Sequence, residues 1–198
     1  MKKLTLMLFA LLLLVGSMDL QGNTSRRRRS QLEDKDKDLC MSHLRSFYGS
    51  LKLYSAANNG VMPRKDNYAG LQILLKHGIT RNDFICKAYR GKKLREKSTL
   101  AEEFSPYIYF GGVNLVQAIK KCPKLLIMAD KPGSRHITVL LADGTIERLE
   151  LKKRDVDITN VQSLVEYLNT IYKYPASELK SLRTKAKAMD GVLYSSKR

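Results

Sequence analysis

The first strong pattern along the chain is a helical repeat of apolar residues between Leu39 and Asn58. Apolar side chains recur there at three- and four-residue intervals, with arginine, serine and lysine between them, which predicts an amphipathic helix of about five turns. Gly60 can take the left-handed conformation that ends a helix, and Pro63 cannot continue one. We therefore expect one long helix that buries a single face against the rest of the protein.

A second, shorter helix is predicted from Tyr68 to His77. Asp66 or Asn67 precedes this segment as a helix cap, and Gly78 follows it as a stop. His77 would then lie at the carboxyl end of the helix. We expect its ring to face the negative end of the helix dipole rather than to bind a ligand.

Strand patterns dominate the stretch from Phe84 to Leu151. A short extended segment is predicted around Phe84 to Ala88, and the sequence YIYFGG alternates aromatic and β-branched residues as a strand does. Three further strands are predicted: KLLIMAD, HITVLLA and TIERLEL. The Pro-Gly turn KPGSR separates the first two, and the pair Asp143–Gly144 predicts a two-residue hairpin turn before the third.

Helical periodicity returns after Leu151. Asp157 or Thr159 is placed to cap the segment NVQSLVEYLNTIY, whose apolar residues fall on one face: Val161, Leu164, Val165, Leu168 and Ile171. Pro175 then opens the basic segment ASELKSLRTKAKAM, whose apolar stripe is narrower: Leu179, Leu182, Ala186 and Met189. We expect the first helix to dock on the sheet. The second is expected to be solvated, or to bind a partner or an anionic surface.

Together these elements predict an α+β fold, in which an N-terminal amphipathic helix packs on a small antiparallel β-sheet and a C-terminal helical extension follows. The chain has 198 residues, which is enough for one small domain with additions. We divide it into four parts: a leader at 1–17, a polar basic linker at 18–38, the α+β domain at 39–151 and the helical extension at 152–198.

The N-terminus has the pattern of a secretory signal peptide. Lys2 and Lys3 precede an unbroken apolar run from Leu4 to Val15, and Gly16 and Ser17 close it. This run is shorter than the roughly 20 apolar residues that span a bilayer. We expect an exported protein that is periplasmic, extracellular or associated with the envelope, without an integral span if the leader is cleaved. An uncleaved anchor is the alternative.

The formal net charge of +17 raises the question of a polyanionic partner. One basic cluster, Arg26 to Arg29, is followed by a run of mixed sign, and the other, from Lys87 to Lys97, has only Tyr89 as an aromatic neighbour. Proteins that bind single-stranded nucleic acid place aromatic stacking platforms beside such charge. We therefore do not expect a nucleic-acid partner. The expected partners are proteins of the cell envelope and, through the charge, an anionic surface or polysaccharide.

Three cysteines and three histidines are the candidate reactive groups. In an oxidising compartment two of the cysteines could pair, and spacing alone leaves every pairing open among Cys40, Cys86 and Cys122. The chain has no C-x-x-C motif, so we expect no metal and no cofactor. A reactive thiol would need one histidine as its base, and the sequence singles out none of His43, His77 and His136.

His136 stands between two aspartates that have structural explanations. Asp130 ends a strand and can accept hydrogen bonds from the turn that follows, while Asp143 and Gly144 suit a tight turn. We therefore assign no catalytic, cofactor-binding or metal-binding residue. The alternative is an exported hydrolase or thiol enzyme that uses His136 with Asp130, Asp143 or a cysteine.

Several of these segments resemble the soluble part of bacterial prepilin-type, pseudopilin-like proteins, in particular those with the H-X9-DG signature. The positions that match the helix of that family and its stop are Cys40, Leu44, Leu51, Tyr54, Asn59, Gly60 and Pro63. Its F-x-C-P segment is similar to Phe84, Ile85 and Cys86, with Lys87 in place of proline. Its D-K-P-G segment matches Asp130 to Gly133, and its final histidine and Asp-Gly pair match His136, Asp143 and Gly144.

The resemblance covers about Arg26 to Leu151 and implies a helix laid across a small antiparallel sheet, with no catalytic residues. The chain lacks the G-F-T-L-I-E cleavage signature of the family, and six residues rather than nine separate His136 from Asp143. Our hypothesis is an exported, non-enzymatic structural or interaction protein related to pseudopilins, acting in envelope assembly or type II secretion. A basic protein that binds polyanions is a weaker alternative.

Overall fold

The computed structural model describes residues 38–85, 105–132, 136–149 and 157–194. The predicted leader, almost all of the predicted linker, the basic stretch from Lys87 to Lys97 and the cysteine at position 86 lie outside the described residues. Residues 39–198 belong to one compact unit, and every element discussed below lies in it apart from the first described residue.

The chain begins, in its described part, with helix α1 at residues 38–57. Helix α2 (Asn67–Leu71) continues directly as a 3-10 helix (Gln72–Lys76), and a second 3-10 helix spans Arg81–Phe84. The remaining elements, in chain order, are β1 (Tyr107–Tyr109), α3 (Leu115–Lys121), β2 (Leu126–Asp130), β3 (Ile137–Leu141), β4 (Ile146–Leu149), α4 (Val161–Tyr172) and α5 (Ala176–Tyr194).

The four strands form one antiparallel sheet in the order β1-β2-β3-β4. The predicted α+β fold, with an N-terminal helix on a small antiparallel sheet and helices at the C-terminus, is therefore confirmed. Tyr107 lies opposite Asp130 and Ala129 opposite Val139, with a register irregularity between Leu126 and Met128.

Both faces of the two central strands are covered. On one face α1 packs along β3: the hydroxyl of Tyr48 donates to the carbonyl of Ala142 at 3.2 Å, and the ring of Phe47 meets that of Tyr107 with centroids 5.6 Å apart. On the other face the hydroxyl of Tyr172, the last residue of α4, donates to the carboxylate of Glu147 in β4. Every residue of β2 and β3 is accordingly buried.

The helix-stop signal at the end of α1 works as the sequence predicted. Asn59 and Gly60 both adopt left-handed backbone conformations, with φ of 53° and 80°. The amide of Gly60 donates to the carbonyl of Ser55 at 2.8 Å, which satisfies one of the last free carbonyls of the helix. Cys40, Leu44, Phe47 and Leu51 are fully buried, so the apolar face predicted for α1 is the face that meets the sheet.

The predicted two-residue hairpin turn at Asp143–Gly144 is wrong. The amide of Leu141 donates to the carbonyl of Thr145 at 2.9 Å, so three residues lie in the loop, and the amide of Gly144 donates back to Leu141. A two-residue type I′ turn needs positive φ at both central residues, and here only Gly144 has it, at 86°. The loop is a turn followed by a left-handed glycine.

Three further expectations need correction. Phe84 was expected in an extended segment, but it ends a 3-10 helix because Thr80 and Asp83 cap that turn reciprocally. The cap of α4 is Asn160, whose side chain accepts from the amide of Ser163 at 2.8 Å, rather than Asp157 or Thr159. Ile171, expected on the buried face of α4, is 38% exposed because it lies at the edge of that face.

Helix α3 was not predicted at all. It has only seven residues, capped by the side chain of Asn114, which accepts from the amide of Gln117 at 2.9 Å. Two turns are too short for an apolar repeat to stand out, and Val116 and Ile119 remain partly exposed, so the segment has little amphipathic contrast.

Helices α4 and α5 are both docked. Four of the five residues predicted to face inward from α4 are buried, and Leu182, Ala186 and Met189 of α5 are buried as well. No helix in the described parts of the chain is long and apolar enough to cross a membrane.

Two glycines in helices provide a matched test of this packing. A methyl group added at Gly70 in α2 would lie 2.0 Å from the carbonyl oxygen of Lys65 and 2.7 Å from the ring of Tyr109, whereas one added at Gly49 in α1 would meet nothing within 4 Å. We expect Gly70→Ala to lower the free energy of unfolding by about 1–3 kcal/mol. Gly49→Ala should raise it by about 0.5–1 kcal/mol, because alanine favours the helix. Urea unfolding of both variants measures this, and equal effects would contradict the packing described here.

Candidate functional site

The start of α1, the end of β2 and the start of β3 bring three reactive side chains together. Cys40 lies in the first described turn of α1, Asp130 is the last residue of β2, and His136 immediately precedes β3. One potential ligand atom from each residue lies within 4.8 Å of the others. We call this group the Cys-Asp-His cluster, and it is the only set of its kind in the described residues.

The carboxylate of Asp130 links the strands on either side of the β2–β3 connection. One of its oxygens accepts a hydrogen bond from the backbone amide of Thr138 at 2.8 Å. The same oxygen lies 3.6 Å from Nε2 of His136. Asp130 thereby holds the first residues of β3 against the end of β2. From the sequence we expected its carboxylate to accept hydrogen bonds from the turn that follows β2.

The chemistry of the cluster is familiar from two kinds of site. Cysteine sulfur, imidazole and carboxylate groups occur together in sites of nucleophilic catalysis and as the ligands of transition metals. The cluster is, however, enclosed: Cys40 is 0%, Asp130 1% and His136 8% exposed. In this arrangement the three side chains are closed off from solvent.

Asp143, the other aspartate proposed as a partner of His136, is not part of the cluster. It lies beyond the opposite end of β3, roughly 20 Å away at about 3.3 Å of strand rise per residue. Its carboxylate accepts from the amide of Thr145 at 2.9 Å and lies 3.1 Å from Nζ of Lys124. Burial raises the pKa of Asp143, but the hydrogen bonds from Thr145 and Lys124 outweigh burial and hold the pKa below its usual value.

The other two histidines also lie outside the cluster. Nδ1 of His43 is 3.2 Å from the hydroxyl of Tyr107, and burial lowers the pKa of His43, an effect that the charge of Asp83 partly offsets. His77 ends the 3-10 helix that follows α2, where its ring contacts Tyr54 edge-on at 5.2 Å between centroids. Its position at the end of this helical segment agrees with the prediction.

Cys122 is a free, buried thiol, which reduces the number of possible disulfide bonds. Burial, and secondarily the charge of Glu178, raise its pKa. The two pairings that involve Cys122 are therefore not formed. The third would join Cys40 to the cysteine at position 86, which lies outside the described residues.

No motif or spacing in the sequence predicts that Cys40, Asp130 and His136 lie close together. Cys40 is far from Asp130 and His136 along the chain, and its contact with them follows from the direction in which α1 crosses the sheet. The pairing of β1 with β2 places Tyr107 directly opposite Asp130, on the face of the sheet that α1 covers.

Comparisons with protein-family models, curated proteins and solved structures find no match for this chain.

The lowered pKa of His43 leads to a pH dependence with a defined sign. An unfolded histidine takes up a proton below about pH 6.5, whereas the folded protein resists protonation of His43. The contribution of His43 to stability is therefore complete above that pH and is lost as the pH falls below it. We expect the free energy of unfolding of His43→Gln to fall less steeply than that of the unaltered protein between about pH 8 and about pH 5.

Urea titrations at several pH values measure both slopes. Because the comparison is between slopes, a constant loss of stability from the missing contact with Tyr107 does not affect it. Parallel curves for the two proteins would contradict the role given to His43.

Proposed function

We propose that this chain is an exported, non-enzymatic structural or interaction protein related to the pseudopilins, acting through protein contacts in envelope assembly or secretion. The observation that carries the proposal is the burial of the Cys-Asp-His cluster beneath α1. The three side chains of the cluster therefore lie in the interface between α1 and the sheet, and none of them is at an accessible surface.

The hydrogen bonding of the cluster supports a structural role. A catalytic base must reach its substrate within hydrogen-bonding distance, and a nucleophile must reach it within contact distance. Asp130 is instead engaged by the backbone of β3 and stands 1% exposed. Buried polar groups with such partners typically specify how two elements pack.

The outward face of α1 supports protein contact. Exposed residues recur along it at alternating intervals of four and three positions: Ser42, Ser46, Gly49, Leu53 and Ala56. This spacing is that of a seam in helix–helix packing, and the small side chains allow close approach of another helix. Leu53 is 67% exposed, which makes it the largest apolar group on this face.

A matched pair of substitutions tests the proposal. Leu53 on α1 and Val192 on α5 are 67% and 66% exposed, so a glutamate at either position is tolerated by the fold. In the cell envelope we expect the unaltered protein and Val192→Glu to be recovered in a larger assembly, and Leu53→Glu to be recovered as a monomer. Size-exclusion chromatography of the solubilised envelope fraction, followed by immunodetection, measures this.

The same preparation tests export. The intact mass of the recovered protein should correspond to a start at or near Met18, as expected after removal of the leader. Recovery of all three proteins as monomers, or a complex unaffected by Leu53→Glu, would contradict the proposed role. A start at Met1 would contradict cleavage while leaving an anchored assembly protein.

One observation favours a second candidate, a hydrolase that uses His136 and Asp130. Their atoms are 3.6 Å apart, a distance that a small shift would turn into a hydrogen bond. Under the structural role we expect His136→Ala to lower the free energy of unfolding by about 1–3 kcal/mol. For the hydrolase, the unaltered protein should cleave a p-nitrophenyl ester or casein, and His136→Ala should remain folded and lose that activity.

A further inference from the structure

The C-terminal helix α5 is held by a short apolar stripe and by charged groups on both of its flanks. Its 19 residues include three that are buried, Leu182, Ala186 and Met189. By comparison, five of the 12 residues of α4 are buried. The buried stripe of α5 is therefore narrow for its length, with Leu179 and Leu193 partly buried beside it. Its polar contacts add to this apolar contact and are the part that salt can weaken.

One flank of α5 is tied to α4. The guanidinium of Arg183 donates two hydrogen bonds of 2.7 Å, one to each carboxylate oxygen of Glu166. The carboxylate of Asp190 accepts from the backbone amides of Val161 and Gln162, at 2.8 and 3.0 Å, so it caps the N-terminus of α4 from the neighbouring helix.

The other flank of α5 is tied to the segment that precedes α2. Nζ of Lys185 donates to the carboxylate of Asp66 at 2.9 Å and to the carbonyl of Gly111. The Arg183–Glu166 pair is about half exposed and the Lys185–Asp66 pair about one-third exposed. Charge pairs with this exposure are weakened by dissolved salt.

The connection to α4 allows α5 to separate without disturbing the sheet. Lys173 adopts a left-handed conformation with φ of 52°, and Pro175 follows two residues later, so the path of the chain changes sharply between the two helices. No strand follows α5 in the described chain, and none of the hydrogen bonds within the sheet involves it. Its departure would break side-chain ties and leave the ladders intact.

The free thiol of Cys122 lies close to the first turn of α5. The thiol is buried in the same apolar cluster as Leu182, Ala186 and Met189 of α5. Tyr174, at the corner between the helices, is buried in that cluster as well. The access of a thiol reagent to Cys122 therefore reports whether this corner is closed.

We propose that α5 is a strap that opens while α1 and the sheet stay folded, and that its charge pairs set the balance between the closed and open states. Anions in solution, or an acidic surface, favour opening because they replace Glu166 and Asp66 as partners of Arg183 and Lys185. This device goes beyond the proposed function and holds whether or not the chain assembles in the envelope.

The test is the alkylation rate of Cys122 in the full chain, followed with iodoacetamide and assigned by peptide mass spectrometry. Each rate is divided by that of the urea-unfolded protein at the same salt, which removes the effect of salt on the reagent. We expect the relative rate to rise about 3- to 10-fold between low salt and about 1 M NaCl. Arg183→Gln should raise it about 2- to 5-fold at low salt.

Lys187→Gln is the matched control, because it removes the same charge from the exposed side of the same helix. It should leave the rate within about 1.5-fold of the unaltered protein, since one exposed charge away from the pairs contributes little. If Arg183→Gln proves unstable to urea, Lys185→Gln tests the other flank in the same way. Amide hydrogen exchange locates the opening: α5 should exchange faster in salt while β2 and β3 do not.

Two results would overturn the proposal. One is an alkylation rate that equals the rate of global unfolding in both low and high salt, since Cys122 would then be reached only when the whole protein unfolds. The other is an identical rate for Arg183→Gln and Lys187→Gln, since the charge pair would then have no part in closing the strap.

Discussion

The burial of β2 and β3 on both faces is the constraint on which the rest of this structure depends. Strands with no exposed side need a helix on each side, and the chain provides α1 before the sheet and α4 after it. Neither helix is an optional addition to a stable sheet. The ring of Phe47 in α1 contacts those of Tyr107 and Phe84, at 5.6 and 5.2 Å between centroids, so α1 packs directly on the sheet.

The same constraint explains why polar side chains are found in the interior. Asp130 and Thr138 lie on the face that α1 covers, and a carboxylate there is costly unless hydrogen bonds replace its water. The amide of Thr138 supplies such a bond. The hairpin of β2 and β3 can therefore close beneath α1 with a carboxylate in its interior.

Local patterns predicted the elements whose signal lies in contiguous residues. Helix α1 and its stop at Gly60, the strands of the meander and the apolar stripe of α5 all followed from repeats and turn residues. The three-residue loop before β4 was missed because Asp-Gly pairs occur in several turn types, and only the backbone angle at Asp143 separates them. The proximity of Cys40 to Asp130 depends on how α1 crosses the sheet, which no single-sequence pattern encodes. The candidate site was accordingly the part least accessible from sequence.

The tie between Lys185 and Asp66 also constrains the order in which the protein can be completed. It joins residues 119 positions apart, so it can form only after Lys185 has been synthesised. Until then α4 also lacks the carboxylate of Asp190 that caps its N-terminus. Contacts of such long range slow folding. During synthesis the protein would therefore acquire its last ties only when residues 185 to 190 had emerged, after the sheet and the helices that cover it.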